Sequence, residues 1–547
     1  MKIKQKLIVE YITLFVLLVL PQTGFPQSKI PHLAKNGNVT QLIVHGQPFL
    51  ILGGETGNSS GSDIRHMRSV WPKAKAMHLN TVLVPVYWEL IEQEEGNFDF
   101  SLVDQIIEDA RKNDLKLIFL WFASWKNSMS CYVPPWIKTN QERFPRAMDD
   151  KGRGQEILTP FSENNLQADM KAFEELMKHL KTTDGNDHTV IMIQVENEIG
   201  MLPVARDYYP LANEQFIQDV PGELTRYLKE NKENLVPEFH EVWANNGFKT
   251  SGNWEKIFGK GPHTDEIFMA WHFAKYINRI IEAGKAIYPL PMFVNAALNR
   301  PGRQPGKGYP SAGPLPHVMD VWKAAGPSID FLAPDFYTTR FRHWCNLYTR
   351  QGDPLFIPEH RFDNTAAAKA VYVIGHYEAM GFSPFSFETA GDDEQESLGN
   401  MYALLSRMTQ IIVDHQGLNK TEGILFDKEN QETVLYFGNY AFTCRHDYTL
   451  GWSPDAGRDE WPMSGAIIIQ TREGKFLIAG SGVVITFEPL NNNKLNAGIL
   501  TAEEGNFVGE TWTSVRRMNG DQTHQGRHIR IPIGNYSIQK FELYTYR

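Results

Sequence analysis

Short apolar runs alternate with amphipathic stretches along most of this chain, from about Gly37 to Gly417. The runs at residues 49–52, 81–86, 117–122, 190–193, 291–294, 331–333, 355–357 and 383–387 are rich in Val, Ile, Leu and Phe and show little polar alternation. Such runs read as strands buried on both faces, as in a parallel sheet. Between them lie segments of helical spacing: Leu102, Ile106, Ile107 and Ala110 mark one helix over residues 102–112. Residues 71–78 read as another, with Pro72 near its first turn, and residues 173–180 as the helix before the fourth strand. One continuous series of about eight strand–helix units predicts an α/β fold, a closed (β/α)8 TIM barrel.

After a helix over residues 398–413 the pattern changes. From Glu422 onward, runs such as 433–437, 466–469, 482–487 and 541–544 are separated by Gly, Asn and Asp turns, with no helical periodicity. This predicts a C-terminal β-sandwich-like domain. The chain is thus read as a leader over residues 1–27, a catalytic barrel over 28–417 and a β-rich domain over 418–547.

Composition narrows the function. Hydrophobic content of 42% and charged content of 22% describe a soluble globular protein. A net charge of −10 and the absence of a Lys/Arg cluster argue against a nucleic-acid partner. The 13 Trp suit ligands with flat apolar faces, as sugars have, although Trp also fills cores. Lys2, Lys4 and Lys6 precede an apolar stretch over residues 11–20 and then Pro21, Gly24 and Pro26. That stretch is too short to span a bilayer, and the order matches a secretory signal peptide. The expectation is therefore a secreted or periplasmic protein with no membrane span after cleavage. Cys131, Cys345 and Cys444 offer neither a disulfide framework nor metal-ligand spacing.

The candidate chemistry sits where strands end. Val190-Ile191-Met192-Ile193 runs directly into Gln194-Val195-Glu196-Asn197-Glu198-Ile199-Gly200. Buried carboxylates are costly unless paired or functional, and parallel barrels keep their chemistry at the C-terminal strand ends. Glycoside hydrolysis needs two carboxyl groups flanking the scissile bond. Glu196 and Glu198 have the same strand parity, so periodicity does not choose between them. Glu359 ends the run 355–357, and Glu388 follows the last strand.

Over about residues 37–400 the chain resembles a glycoside hydrolase family 35 β-galactosidase. The resemblance rests on Gln194–Gly200, on the start Val44-His45-Gly46-Gln47-Pro48-Phe49, and on Trp88-Glu89-Leu90-Ile91-Glu92 through Gly96-Asn97-Phe98-Asp99-Phe100. It implies a retaining mechanism with Glu198 as acid/base, Glu359 as nucleophile and Asn197 on the sugar 2-hydroxyl. It implies a carbohydrate substrate and no metal or organic cofactor. Two stretches depart from the common pattern: Asn127 stands where the family's Cys-Ala-Glu segment has Glu, and the first strand ends in Gly54-Glu55-Thr56. Both resemble a bacterial subgroup with a β-rich C-terminal domain, some of whose members remove galactose from plant cell-wall polysaccharides. The expectation is an exo-acting β-galactosidase. A retaining glycosidase for another sugar, an endo-glycanase, or a carbohydrate-binding protein on a decayed barrel are the alternatives.

Several residues complete the expected site. Glu55, Lys126 and Asn127 are placed as hydroxyl binders, and Tyr337 as a donor to the nucleophile. Trp125, with Trp88 and Trp136, is placed as a stacking platform, core packing being the alternative. His360 is read as a structural, hydrogen-bonded histidine. Three βα units of ordinary length do not fill the distance from Glu198 to Glu359, so long insertions are required; residues 201–267 supply one.

Overall fold

The computed structural model describes residues 30–300, 302–490 and 495–547; the leader expected at 1–27 lies outside them. Eight parallel strands close into a barrel: β1 (Ile51–Glu55), β2 (Thr81–Tyr87), β3 (Lys116–Lys126), β4 (Val190–Asn197), β5 (Met292–Ala297), β6 (Phe331–Phe336), β7 (Phe356–His360) and β8 (Gly381–Pro384). Each pairs with its neighbour in sequence, and β8 returns to β1. The (β/α)8 reading of the alternating pattern therefore holds.

Residues alternate between two apolar layers, which explains the uninterrupted hydrophobic runs. Ile118, Leu120 and Phe122 fill the barrel interior with Ile51, Leu83, Phe293 and Phe356. Leu117, Phe119 and Trp121 of the same strand face the surrounding helices. A small antiparallel sheet (His32–Asn36, Val39–Val44 and Gln47–Phe49) leads into β1, and its Leu42 and Val44 join the interior cluster.

Several expected boundaries shift, two of them at helices that pack on the barrel. The first helix spans Ile64–Ala76, not 71–78, and carries Pro72 inside it. Asp63 caps its start by accepting from the Arg65 amide. Burial of Met67, Val70, Trp71 and Ala74 on the barrel outweighs the cost of proline in a helix. The helix before β4 is likewise longer, Glu163–Thr183, with Ser162 as its N-cap. The expected insertion after β4 holds four short helices, Pro210–Phe216, Gly222–Glu230, Pro237–Asn245 and Trp254–Phe258, before the barrel helix Pro262–Ile287.

Beyond the helix Asp392–His415 the chain is β-rich. A six-stranded and a four-stranded antiparallel sheet stack through Phe442, Phe476, Phe487 and Phe541. In the strand Ser464–Arg472, Ala466 and Ile468 enter that sandwich core, whereas Ile467 and Ile469 pack against the barrel. Both faces of this strand are buried. The helix Ala366–His376 meets the strand Thr421–Phe426 with almost no side chain between them: a Cβ on Gly423 would lie 2.3 Å from the Tyr372 carbonyl oxygen. Gly423→Ala is expected to destabilise the protein by about 1–3 kcal/mol through overpacking. An unchanged urea midpoint would count against this contact as a determinant of stability. All three cysteines are free and buried. Among the described residues no helix is long and apolar enough to cross a membrane.

Candidate active site

Local irregularities at the strand tips decide which side chains enter the cavity. Strand β4 should carry Glu196 and Glu198 on one face, yet Glu196 has φ +63° and Glu198 φ +47°. These left-handed conformations break the alternation, and a tightly bonded surrounding must hold them. The Glu198 amide donates to Asn295 Oδ1 at 2.9 Å, the Asn127 amide to the Asn197 carbonyl at 3.1 Å, and Ser128 Oγ to the Glu198 carbonyl at 2.7 Å.

The two glutamates therefore part. Glu196 is fully buried and accepts the amides of Ser124 and Trp125 at 2.9 Å and of Ala123 at 3.3 Å. Burial and the neighbouring Asp169 charge hold its carboxyl well above the usual carboxylate range. It braces the end of β3 and takes no part in the cavity. Glu196→Ala is expected to cost on the order of 3 kcal/mol or more, because three buried amides lose their acceptor. Chemical denaturation measures this, and a loss below 1 kcal/mol, on the order of a single net hydrogen bond, would contradict the bracing role.

Glu198 instead lines a cavity of about 410 Å³ with Lys126, Asn127, Asp335, Tyr337 and Glu359. Glu359 reaches it through another irregularity. Phe356 points into the barrel, so simple alternation would send Glu359 outward; an extra residue in β7 between Ile357 and His360 re-aims it. The Tyr337 hydroxyl donates to Glu359 Oε1. Glu198, Asp335 and Glu359 each offer a carboxylate oxygen, all within 4.8 Å of one another. Such a trio has the spacing of cation ligands, and the Lys126 ammonium already acts on all three carboxylates.

Electrostatics separates the two principal carboxyls. Burial, then the Glu359 charge, pushes the Glu198 carboxyl up to about 7, against Lys126 and the hydrogen bonds from Asp335 and Asn127. Burial also raises Glu359, opposed by Lys126 and by the Tyr337 hydroxyl. Burial and the Glu359 charge raise Tyr337 strongly, so its hydroxyl stays a donor. Glu55 and Asp335 are held well above their ordinary values by burial and by Glu359.

The other expected residues fall into three groups. Lys126, Asn127 and Tyr337 line the cavity. Glu55 and Asn197 lie buried beside it: Glu55 within electrostatic reach of Glu359 and Glu198, Asn197 with Oδ1 taken by Gln194 and Asn295 and Nδ2 without a partner among the described residues. Trp125 is a correction. Its ring is fully buried against Phe273 and Tyr276, so it cannot stack on a ligand; its amide donates to Glu196 and helps brace the end of β3. Trp88 is buried too, donating to Glu92. Trp136 donates to the Glu92 carbonyl, away from the cavity. Glu388 accepts the Gly57 amide and the Ser60 hydroxyl, tying down the loop after β1. His360 is a buried structural histidine, neutral because burial lowers its pKa to about 3.

Asp335 and Asn295 were not foreseen. Asn295 accepts the Glu198 amide through Oδ1, which turns its Nδ2 toward Asn197 Oδ1 (3.1 Å) and Asp335 Oδ2 (2.7 Å). Both lie at barrel strand ends, and that position was the available signal.

The fold and site together define a (β/α)8 barrel with paired carboxyls at the C-terminal tips of strands 4 and 7, an arrangement suited to glycoside hydrolysis. Residues 59–269 match the family model of the glycoside hydrolase family 42 β-galactosidases, and residues 398–530 match a domain of unknown function. A β-galactosidase of Xanthomonas manihotis is 27% identical over 200 residues, 35% of this chain and 30% of that one. A β-galactosidase-1-like protein 3 of Rattus norvegicus is 27% identical over 186 residues, 31% of this chain and 27% of its own. The chain thus spans under a third of the length of these relatives. Among solved structures, a β-galactosidase from Bacillus circulans sp. alkalophilus aligns with TM-score 0.46 at 14% identity, covering 67% of this chain and 57% of that one. The catalytic domain of a Paenibacillus polymyxa β-amylase aligns at 0.44 and 13%, covering 65% and 98%. The first half of the barrel is β-galactosidase-like in sequence.

Proposed function

We propose that this protein is a secreted or periplasmic, retaining, exo-acting β-galactosidase of the family 35 type, removing terminal β-galactosyl residues from plant cell-wall glycans. The observation that carries the reading is the separation of the two strand-tip carboxyls. Glu198 and Glu359 have oxygens within 4.8 Å of each other, which favours direct attack; inverting enzymes hold their carboxyls about 6.5–9.5 Å apart to admit a water.

In this reaction Glu359, ionised, attacks the anomeric carbon. The bond to the glycosidic oxygen breaks, and the departing oxygen takes the proton of Glu198. Glu198, now a carboxylate, draws a proton from water, whose oxygen displaces Glu359 and restores both groups. A Glu198 carboxyl near pH 7 suits both halves of the cycle. Tyr337 and Lys126 favour the charged form of Glu359. The unpartnered Asn197 Nδ2 is a donor suited to the 2-hydroxyl. The galactose assignment is supported by the matching β-galactosidase model and relatives.

Proton NMR of an aryl β-galactoside digest tests the mechanism directly. The first-formed galactose is expected as the β-anomer, mutarotating later; α-galactose appearing first would overturn the retaining assignment.

A further inference from the structure

Behind Tyr337 lies a second cavity, of about 490 Å³, which shares Tyr337 and Thr338 with the carboxylate cavity. One wall comes from the segments after β6 and β7. The other comes from the β-rich region, including Leu425 and Met463. The proposed chemistry makes no use of it.

Its lining is unusual in one respect. Lys369 is only 8% exposed, and among the described residues no carboxylate lies within ion-pair distance of it; Asp363 acts on the ammonium from further away. A buried ammonium with no direct ion pair is costly, and a carboxylate at longer range offsets only part of that. Its polar neighbour is His360 Nε2 at 3.2 Å, with the Phe341 ring 5.2 Å away. His360 donates Nδ1–H to the Arg361 carbonyl, so Nε2 is an acceptor that uses one ammonium proton. Two remain. At the rim, Arg340 and Arg361 are exposed and make no ion pair among the described residues; Arg361 lies 5.9 Å from the Tyr337 ring centre, on the partition between the cavities.

Three acidic groups also line the cavity, and two are engaged. Asp363 accepts the Thr365 amide and hydroxyl, and Asp427 accepts the amides of Glu429 and Asn430 in a turn. Glu429, exposed, is the third.

We infer that this cavity is a subsite for an acidic sugar unit, a uronate or sulfated residue of the same glycan, with Lys369 at its floor and Arg340 and Arg361 at its mouth. Charge-assisted hydrogen bonds to a carboxylate or sulfate would supply the direct pairing that Asp363 does not give Lys369. Only the direction of the glycan rests on the proposed function. An exo-acting enzyme holds one sugar on the cleaved end, so the acidic unit belongs to the leaving-group side. The natural substrate would then be an acidic galactoside.

Calorimetry on the full chain tests this without turnover, using methyl β-glucuronide against methyl β-glucoside, with inorganic sulfate as a third probe. The glucuronide is expected to bind at least about ten-fold more tightly than the glucoside, as expected for a charged over a neutral hydrogen bond. Arg340→Gln/Arg361→Gln, a double change of exposed residues, is expected to remove that preference while leaving aryl β-galactoside turnover unchanged. Lys369→Met is expected to remove it as well. Equal binding of the two glycosides, or a preference that survives the double change, would overturn the inference. Sulfate binding as tightly as the glucuronide would replace the sugar subsite with a simple anion site. Failure of the wild type to cleave any aryl β-galactoside would strike the proposed function and leave the binding comparison standing.

Discussion

Glu359→Gln is expected to abolish turnover of an aryl β-galactoside, lowering kcat by about 10⁴-fold or more. The amide preserves shape and can still accept from Tyr337, but it cannot attack the anomeric carbon, and loss of a covalent nucleophile is among the most damaging single changes in an enzyme. Folding should survive. The substitution removes one of several crowded carboxylates, so the upward push on Glu198 weakens and its pKa falls. Burial, the largest cause of the shift, remains. Near-normal turnover with an unaltered unfolding midpoint would exclude Glu359 as the nucleophile.

Glu198→Gln is expected to lower kcat by about 10²–10⁴-fold on substrates whose leaving group needs a proton. Activated aryl galactosides should still transfer galactose to Glu359 and then stall, because no base remains to activate water. The pH profile provides the second readout. The proposed mechanism needs Glu198 protonated and Glu359 ionised. In the wild type, activity is therefore lost as pH rises through about 7, where Glu198 gives up its proton. On the acid side it is lost as Glu359 takes one up, at a pH above its ordinary value. The alkaline limb should vanish from the transfer step of the Gln variant. An alkaline limb that persists would assign that titration to another group, with Asp335 the remaining cavity carboxyl. The same shift bears on stability: a carboxyl raised on folding stabilises the native state below its unfolded pKa, and that contribution is lost as pH rises through its folded value. This protein is thus expected to be more resistant to urea near pH 5 than near pH 8 as far as this cluster decides.

What could be read from residue order follows from periodicity. Two-sided burial makes continuous apolar runs, so eight barrel strands and the change to β-rich sequence after Gly417 were legible without coordinates. The strand-end positions of Glu198, Glu359 and Asn197 were legible because apolar runs stop there, and the family resemblance singled these residues out for the proposed site. Trp125 was misjudged for a related reason. Sequence reports that an indole sits near a strand end but not which layer it faces, and the helix bearing Phe273 and Tyr276 closes over it.

The sequence by itself determined the barrel, its strand tips and the carboxyls that reach them, because period-two and helical spacings are local properties. Only the tertiary structure decided which of those carboxyls share a cavity. Left-handed backbone at Glu196 and Glu198, held by Asn295 and the end of β3, sends the first into the protein and the second into the cavity. One extra residue in β7 turns Glu359 inward. Both are breaks in the alternation, stabilised by partners distant in sequence, and so no periodicity can announce them. The raised pKa of Glu198 belongs to the same class, since burial and a neighbouring charge exist only once the strands have closed.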